Sequence, residues 1–97
     1  MASSAEFEIG PETETATHWS YAVTLFAAGR TREITVTLSY PDYDHWSRGR
    51  VPPVKVVEAT LRFALERMTA EEFGATLDCS TVARRHSEFE TALHQAF

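Results

Sequence analysis

His18-Trp-Ser-Tyr-Ala-Val-Thr-Leu-Phe-Ala-Ala-Gly-Arg-Thr-Arg-Glu-Ile-Thr-Val-Thr-Leu-Ser-Tyr40 alternates apolar and polar residues on either side of a single glycine. Trp19, Tyr21, Val23 and Leu25 fall on one face of the first half, and Ser20, Ala22 and Thr24 on the other. In the second half Ile34, Val36, Leu38 and Tyr40 repeat the period against Thr31, Glu33, Thr35, Thr37 and Ser39. A period of two marks a half-buried strand. If Ala28-Gly29 makes a two-residue turn, Val23 faces Ile34, Tyr21 faces Val36 and Trp19 faces Leu38, so large apolar side chains meet on one face. A slip of one residue would turn one strand's apolar set to water, so pattern and turn together specify the register.

Toward the N-terminus, residues 1–17 read as an acidic arm preceding a single α+β domain over 18–97. Glu6, Glu8, Glu12 and Glu14 all precede the first Lys or Arg. Setting these four aside leaves 10 of the 14 acids against 9 bases, so the formal charge of −5 belongs to the arm and the body is close to neutral. Within the arm Ala5, Phe7 and Ile9 alternate with Glu6 and Glu8, which permits a short strand across residues 5–9 ended by Gly10-Pro11. The expected sheet is therefore an antiparallel hairpin, with the N-terminal segment available as a third strand.

Toward the C-terminus, Pro52-Pro53 suits a helix start, where a missing N–H costs nothing. A main helix to about Met68 follows from the stripe of Val54, Val57, Leu61, Ala64, Leu65 and Met68. Lys55, Glu58, Arg62 and Glu66 form its charged sector, with Glu58–Arg62 and Arg62–Glu66 at the favourable spacing of four. Val56 and Phe63 lie almost opposite the main stripe and require a cover of their own. Either the C-terminal segments or a second copy in a twofold homodimer would supply it. Thr69-Ala-Glu-Glu72 reads as a capping box opening a short helix that Gly74 ends, and Ser80 to His86 as another turn or two of helix. Ser87-Glu-Phe-Glu90 reads as a box opening a terminal helix with Phe89, Ala92, Leu93, Ala96 and Phe97 on one side.

Between sheet and main helix lies Pro41-Asp-Tyr-Asp-His-Trp-Ser-Arg-Gly-Arg-Val-Pro-Pro53, read as a loop and chemically the densest part of the chain. Trp, Tyr and Arg are the residue types enriched at interface hot spots. Tyr43, His45, Trp46, Arg48 and Arg50 are accordingly the expected binding residues of a non-enzymatic protein-binding or regulatory module. The fate of Trp46 decides how the segment works: exposed, it anchors a recognition surface, and buried, it makes the segment a packing device.

Two other function classes are weighed against this one. A DNA-binding regulator would use a degenerate helix-turn-helix over 69–89, with Arg84 and Arg85 on phosphates. Gly74 interrupts its first helix, Glu88 and Glu90 offset the arginines, and a near-neutral body lacks the clustered cations such binding needs. A small-ligand or metal protein would use Asp42, Asp44 and His45, but no H-x-x-x-H or C-x-x-C spacing supports a metal set. No phosphate loop, nucleophile elbow or paired catalytic carboxylates are present, so neither enzyme nor cofactor is expected. Cys79 is the only cysteine, which excludes an intrachain disulfide and fits a reducing, cytoplasmic setting. No apolar run approaches the ~20 residues of a membrane span, and a soluble, non-exported protein is expected.

Overall fold

A computed structural model describes residues 6–27 and 29–97, with the side chains of Ala70 and Glu71 outside the description. Ala5 of the expected first strand, the rest of the arm before Glu6, and Ala28 of the expected turn lie outside the described residues. The fold is α+β. Strands β1 (Glu6–Glu14), β2 (His18–Ala27) and β3 (Arg30–Ser39) are followed by helices α1 (Tyr40–Ser47) and α2 (Pro53–Leu65). A 3-10 turn (Ala70–Phe73), strand β4 (Thr76–Asp78) and helices α3 (Cys79–Arg85) and α4 (Phe89–Ala96) complete the chain. The sheet has the order β1-β2-β3-β4, antiparallel except for β4, which lies parallel to β3.

The hairpin takes the register its alternation demands: Val23 opposes Ile34, Tyr21 opposes Val36 and Trp19 opposes Leu38. Ala27 pairs with Arg30, and Gly29 between them has φ +75°, a left-handed value that favours glycine. The N-terminal strand is longer than expected. Gly10-Pro11, read as a strand end, is instead a bulge: Ile9 opposes Val23 and Glu12 opposes Tyr21, so two residues of β1 face Ala22 alone. Gly10 fits there because a Cβ would come within 3.1 Å of the Ala22 carbonyl oxygen. The extra residue reverses the strand's parity. Phe7 and Ile9 lie on the core side before the bulge, and Glu12 follows them after it, where it accepts a 2.6 Å hydrogen bond from the buried Tyr21 hydroxyl. Burial and this carboxylate hold the Tyr21 phenol well above its ordinary pKa.

One sheet face carries the core: Tyr21, Val23, Leu25, Ile34, Val36 and Leu38 are at most 4% exposed. Helix α2 packs on that face and is buried on both of its sides, with Val57, Leu61 and Ala64 inaccessible and Val56 and Phe63 at 0% and 6%. The cover for Val56 and Phe63 therefore comes from the chain itself. Helix α4 packs on α1, α2 and α3, and Phe89 meets the Phe63 ring edge to face at 5.2 Å. The sequence argument for a second copy loses its basis at these two residues.

Two expected elements change. Residues 69–89 do not make a two-helix unit, because a 3-10 turn and a strand stand where its first helix would be. Thr69 and Glu72 do bond as a capping box expects, through the Thr69 N–H to Glu72 Oε2 at 3.2 Å, but they open the 3-10 turn. Ser87 caps nothing: α4 starts at Phe89, with Glu88 as its N-cap residue and no side-chain cap. His86, in the extended link between α3 and α4, is half-buried beside Phe63 at 5.7 Å.

Two outcomes follow. Cys79 is wholly buried and burial pushes its thiol up to about 12, so it stays protonated and shielded. Labelling by a thiol reagent at pH 8 should track global unfolding in a urea series; rapid stoichiometric labelling of the native protein would contradict this packing. Glu58 bonds Arg62 at 3.0 Å and Lys55 at 3.3 Å, which together hold its carboxyl below the ordinary 4.5. Because the folded value is the lower one, the contribution is present above the unfolded pKa and fades as pH falls through the folded pKa. At this partly exposed site it amounts to roughly 0.5 kcal/mol or less. Glu58→Gln should remove that small pH dependence below the ordinary Glu value, read by urea unfolding at several pH values.

Candidate functional site

The segment read as a loop begins as a helix. The Ser39 hydroxyl accepts from the Asp42 N–H at 3.2 Å, Pro41 stands in the first turn, and Asp42 adds a favourable charge at the positive end. Helix α1 then stops in a tight turn. Arg48 has φ +52° and Gly49 φ +75°, and the Arg48 N–H returns to the Asp44 carbonyl at 3.0 Å. Ser47, 1% exposed, pins this turn from inside: its hydroxyl accepts from the Gly49 N–H and its carbonyl from the Arg50 N–H, each at 3.0 Å.

The five expected binding residues separate along α1 and its turn. Trp46 is 3% exposed and packs edge to face on Phe89 at 5.0 Å, so its indole is core and cannot anchor an exposed surface. Tyr43 is half-buried, donates to the Val51 carbonyl at 2.5 Å and meets Trp19 edge to face, in an aromatic group completed by Tyr40. The Tyr40 hydroxyl bonds Glu14 at 2.8 Å and also the Thr15 carbonyl. His45 is exposed and ties α1 to α4 through Glu90 at 3.3 Å. Arg48 and Arg50 converge at a cleft of about 230 Å³ that the buried Trp46 also lines, with Ser47, His94 and Phe97. Neither arginine makes an ion pair or side-chain hydrogen bond among the described residues. Asp42, Asp44 and His45 join no group of three potential metal ligands among the described residues.

No family model matches this chain. Nor does any curated protein or solved structure. Geometry and chemistry alone therefore carry the functional reading, and among the described residues no helix is long and apolar enough to cross a membrane.

Beside the arginine cleft runs a larger groove that sequence reasoning missed. It lies between α2 and α4, has a volume of about 610 Å³, and is lined on one side by Lys55, Glu58, Ala59, Arg62, Phe63 and Glu66. These positions form one stripe, spanning roughly 16 Å at the helical rise of ~1.5 Å per residue. Ala92, Leu93, Ala96 and Phe97 line the other side. Helix α4 runs back along α2, since Arg67 just beyond α2 bonds Glu88 just before α4 at 3.3 Å. Ala59, Ala92 and Ala96 keep the walls low, and the Arg67 guanidinium lies over the Phe63 ring at 3.7 Å. Ion pairs Lys55–Glu58–Arg62 and Glu66–Arg67 edge the groove. The expected Arg62–Glu66 pair does not form, and Arg62 instead lies over Phe7 at 5.3 Å. Ala92 and Ala96 were legible as part of the apolar side of the terminal helix, but only their pairing with Ala59 across two helices makes a groove.

Trp46→Ala should lower stability by about 3–5 kcal/mol, the range for a large core aromatic, with the loss measured by urea unfolding. A loss near zero would return Trp46 to the surface.

Proposed function

We propose that the protein is a non-enzymatic protein-binding module with a regulatory role, and that its contact surface is the α2/α4 groove together with the turn after α1. The observation that carries this reading is the groove itself, an open trough about three helical turns long whose accessible apolar floor is Ala59, Ala92 and Ala96 above the buried Phe63 and Leu93, between charged rims. Such a trough fits a helical segment of another protein, because a third helix can settle between two others when small side chains let its axis come within about 8–10 Å. Recognition of an amphipathic helix in a groove uses apolar side chains at i, i+3 or i+4, and i+7, which matches the length available here. The open trough favours a peptide chain over a small molecule, which usually sinks into a more enclosed site.

Within this proposal the binding role expected of the 41–53 segment takes an altered form. Trp46 supports the surface from beneath through Phe89, and the contacts fall to Arg48 and Arg50 together with residues of α2 and α4. A displayed library of random helical peptides, panned on the folded protein, tests the reading. Enriched sequences should share apolar positions at i, i+3 or i+4, and i+7. They should bind an Ala59→Gln/Ala96→Trp variant about tenfold or more weakly, since losing even part of a buried apolar contact costs above ~1.4 kcal/mol. Ala59 is half-buried and Ala96 exposed, so the variant should keep its native melting temperature. Enriched peptides without that spacing, or with undiminished binding to the variant, would contradict the reading.

A further inference from the structure

Resting on the groove reading, we infer that the partner helix is acidic at one end and that a Glu or Asp carboxylate there seats between Arg48 and Arg50. The charge distribution points this way. Lys55, Arg62 and Arg67 line the groove against Glu58 and Glu66, and Arg48 and Arg50 line the cleft beside it. Five of the chain's 9 Lys and Arg residues thus meet Glu58, Glu66 and the Glu88 that pairs with Arg67, a local surplus of two positive charges on a chain of net charge −5. The two hollows adjoin: Phe97 lines both, and Arg50 of the cleft is followed directly by Val51 and Pro52 of the groove. A ligand lying in the groove therefore ends at the arginines.

Among the cations lining the two hollows, these two arginines are the ones that the described residues leave without an ion pair or side-chain hydrogen bond. Arg62 and Arg67 are held in ion pairs with Glu58, Glu66 and Glu88, and Arg84 bonds Ser80 and Thr81. Arg48 and Arg50 have no such partner among the described residues. Arg48 further occupies a left-handed backbone position at φ +52°, where glycine would be less strained. Its side chain makes no ion pair or hydrogen bond among the described residues that would offset this strain, and strained positions of this kind gather at ligand sites.

The cleft suits a carboxylate better than a phosphate. Guanidinium groups bind carboxylates through paired N–H donors, whereas phosphate sites commonly add a nest of main-chain N–H groups. Here the N–H groups of Arg48, Gly49 and Arg50 are already taken by Asp44 and Ser47. A cleft of about 230 Å³ accepts a single acidic side chain while the remaining segment lies in the groove.

The experiment is a second panning of the same helical peptide library, on the wild type and on an Arg48→Gly/Arg50→Gln variant. The glycine relieves the left-handed position, so this variant should fold at least as well as the wild type. Peptides enriched on the wild type should carry Asp or Glu at one end of the apolar spacing. On the variant that acidic preference should vanish while the apolar spacing remains. Synthetic wild-type-selected peptides should lose about tenfold in affinity on Glu→Gln change at that end, in line with the loss of a desolvated ion-pair partner. Their affinity should also fall as salt rises. Groove-spaced peptides without terminal acids would overturn this inference and leave the groove reading standing. Absence of the apolar spacing would remove both. Enrichment of phosphopeptide over acidic peptide, or a melting-temperature rise with dodecanoate in place of any peptide enrichment, would reassign the arginines to another anion and overturn it.

Discussion

Helix α2 has to be covered on two sides, and that constraint organises the rest of the molecule. Its main stripe meets the sheet, and the opposite line of Val56 and Phe63 would otherwise present apolar surface to water. Thr60 lies among these residues at 0% exposure and is tolerated only because its hydroxyl donates to the Val56 carbonyl at 2.8 Å. The cover is an aromatic cluster assembled from three helices. Phe63 of α2 and Trp46 of α1 both meet Phe89 of α4 edge to face, at 5.2 and 5.0 Å. Buried aromatic pairs of this geometry contribute about 0.5–1.5 kcal/mol each beyond their area.

From this cluster the site follows. Burying Trp46 requires the chain after β3 to coil at once into α1, and ending α1 beside α2 requires the left-handed turn at Arg48 and Gly49. That turn places two arginines at the surface near the end of α4. Placing Phe89 on Phe63 in turn lays α4 along α2, with alanines at the seam and the groove above them. Core packing on one side of these helices thus shapes the groove and cleft on the other.

The hairpin was legible from sequence because a strict period of two leaves one register that buries every large side chain, and α2 because its stripe and proline start agree. The helix over Tyr40–Ser47 was harder to see. Its core contribution is essentially Trp46 with half-buried Tyr43, too few apolar positions to make a stripe, although Ser39, Pro41 and Asp42 spell a helix start. Strand β4 has three residues and gains its place by parallel pairing with β3, a long-range contact with no local pattern. Gly10-Pro11 signals a strand end in most contexts, and here it marks a bulge whose effect, moving Glu12 to Tyr21, depends on the partner strand. Arg48 and Arg50 were recognisable as binding residue types, but their freedom from partners and their nearness to the groove are properties of the assembled helices.

The central claim is that α4 closes the second face of α2 through the aromatic cluster. A double-mutant cycle on Phe63→Ala and Phe89→Ala, followed by urea unfolding, measures it directly. The two rings touch in a desolvated core, so the single losses should fail to add by about 1 kcal/mol or more. Additivity within about 0.3 kcal/mol would mean that the rings do not share an environment, and the arrangement of α2, α4 and the groove between them would be wrong.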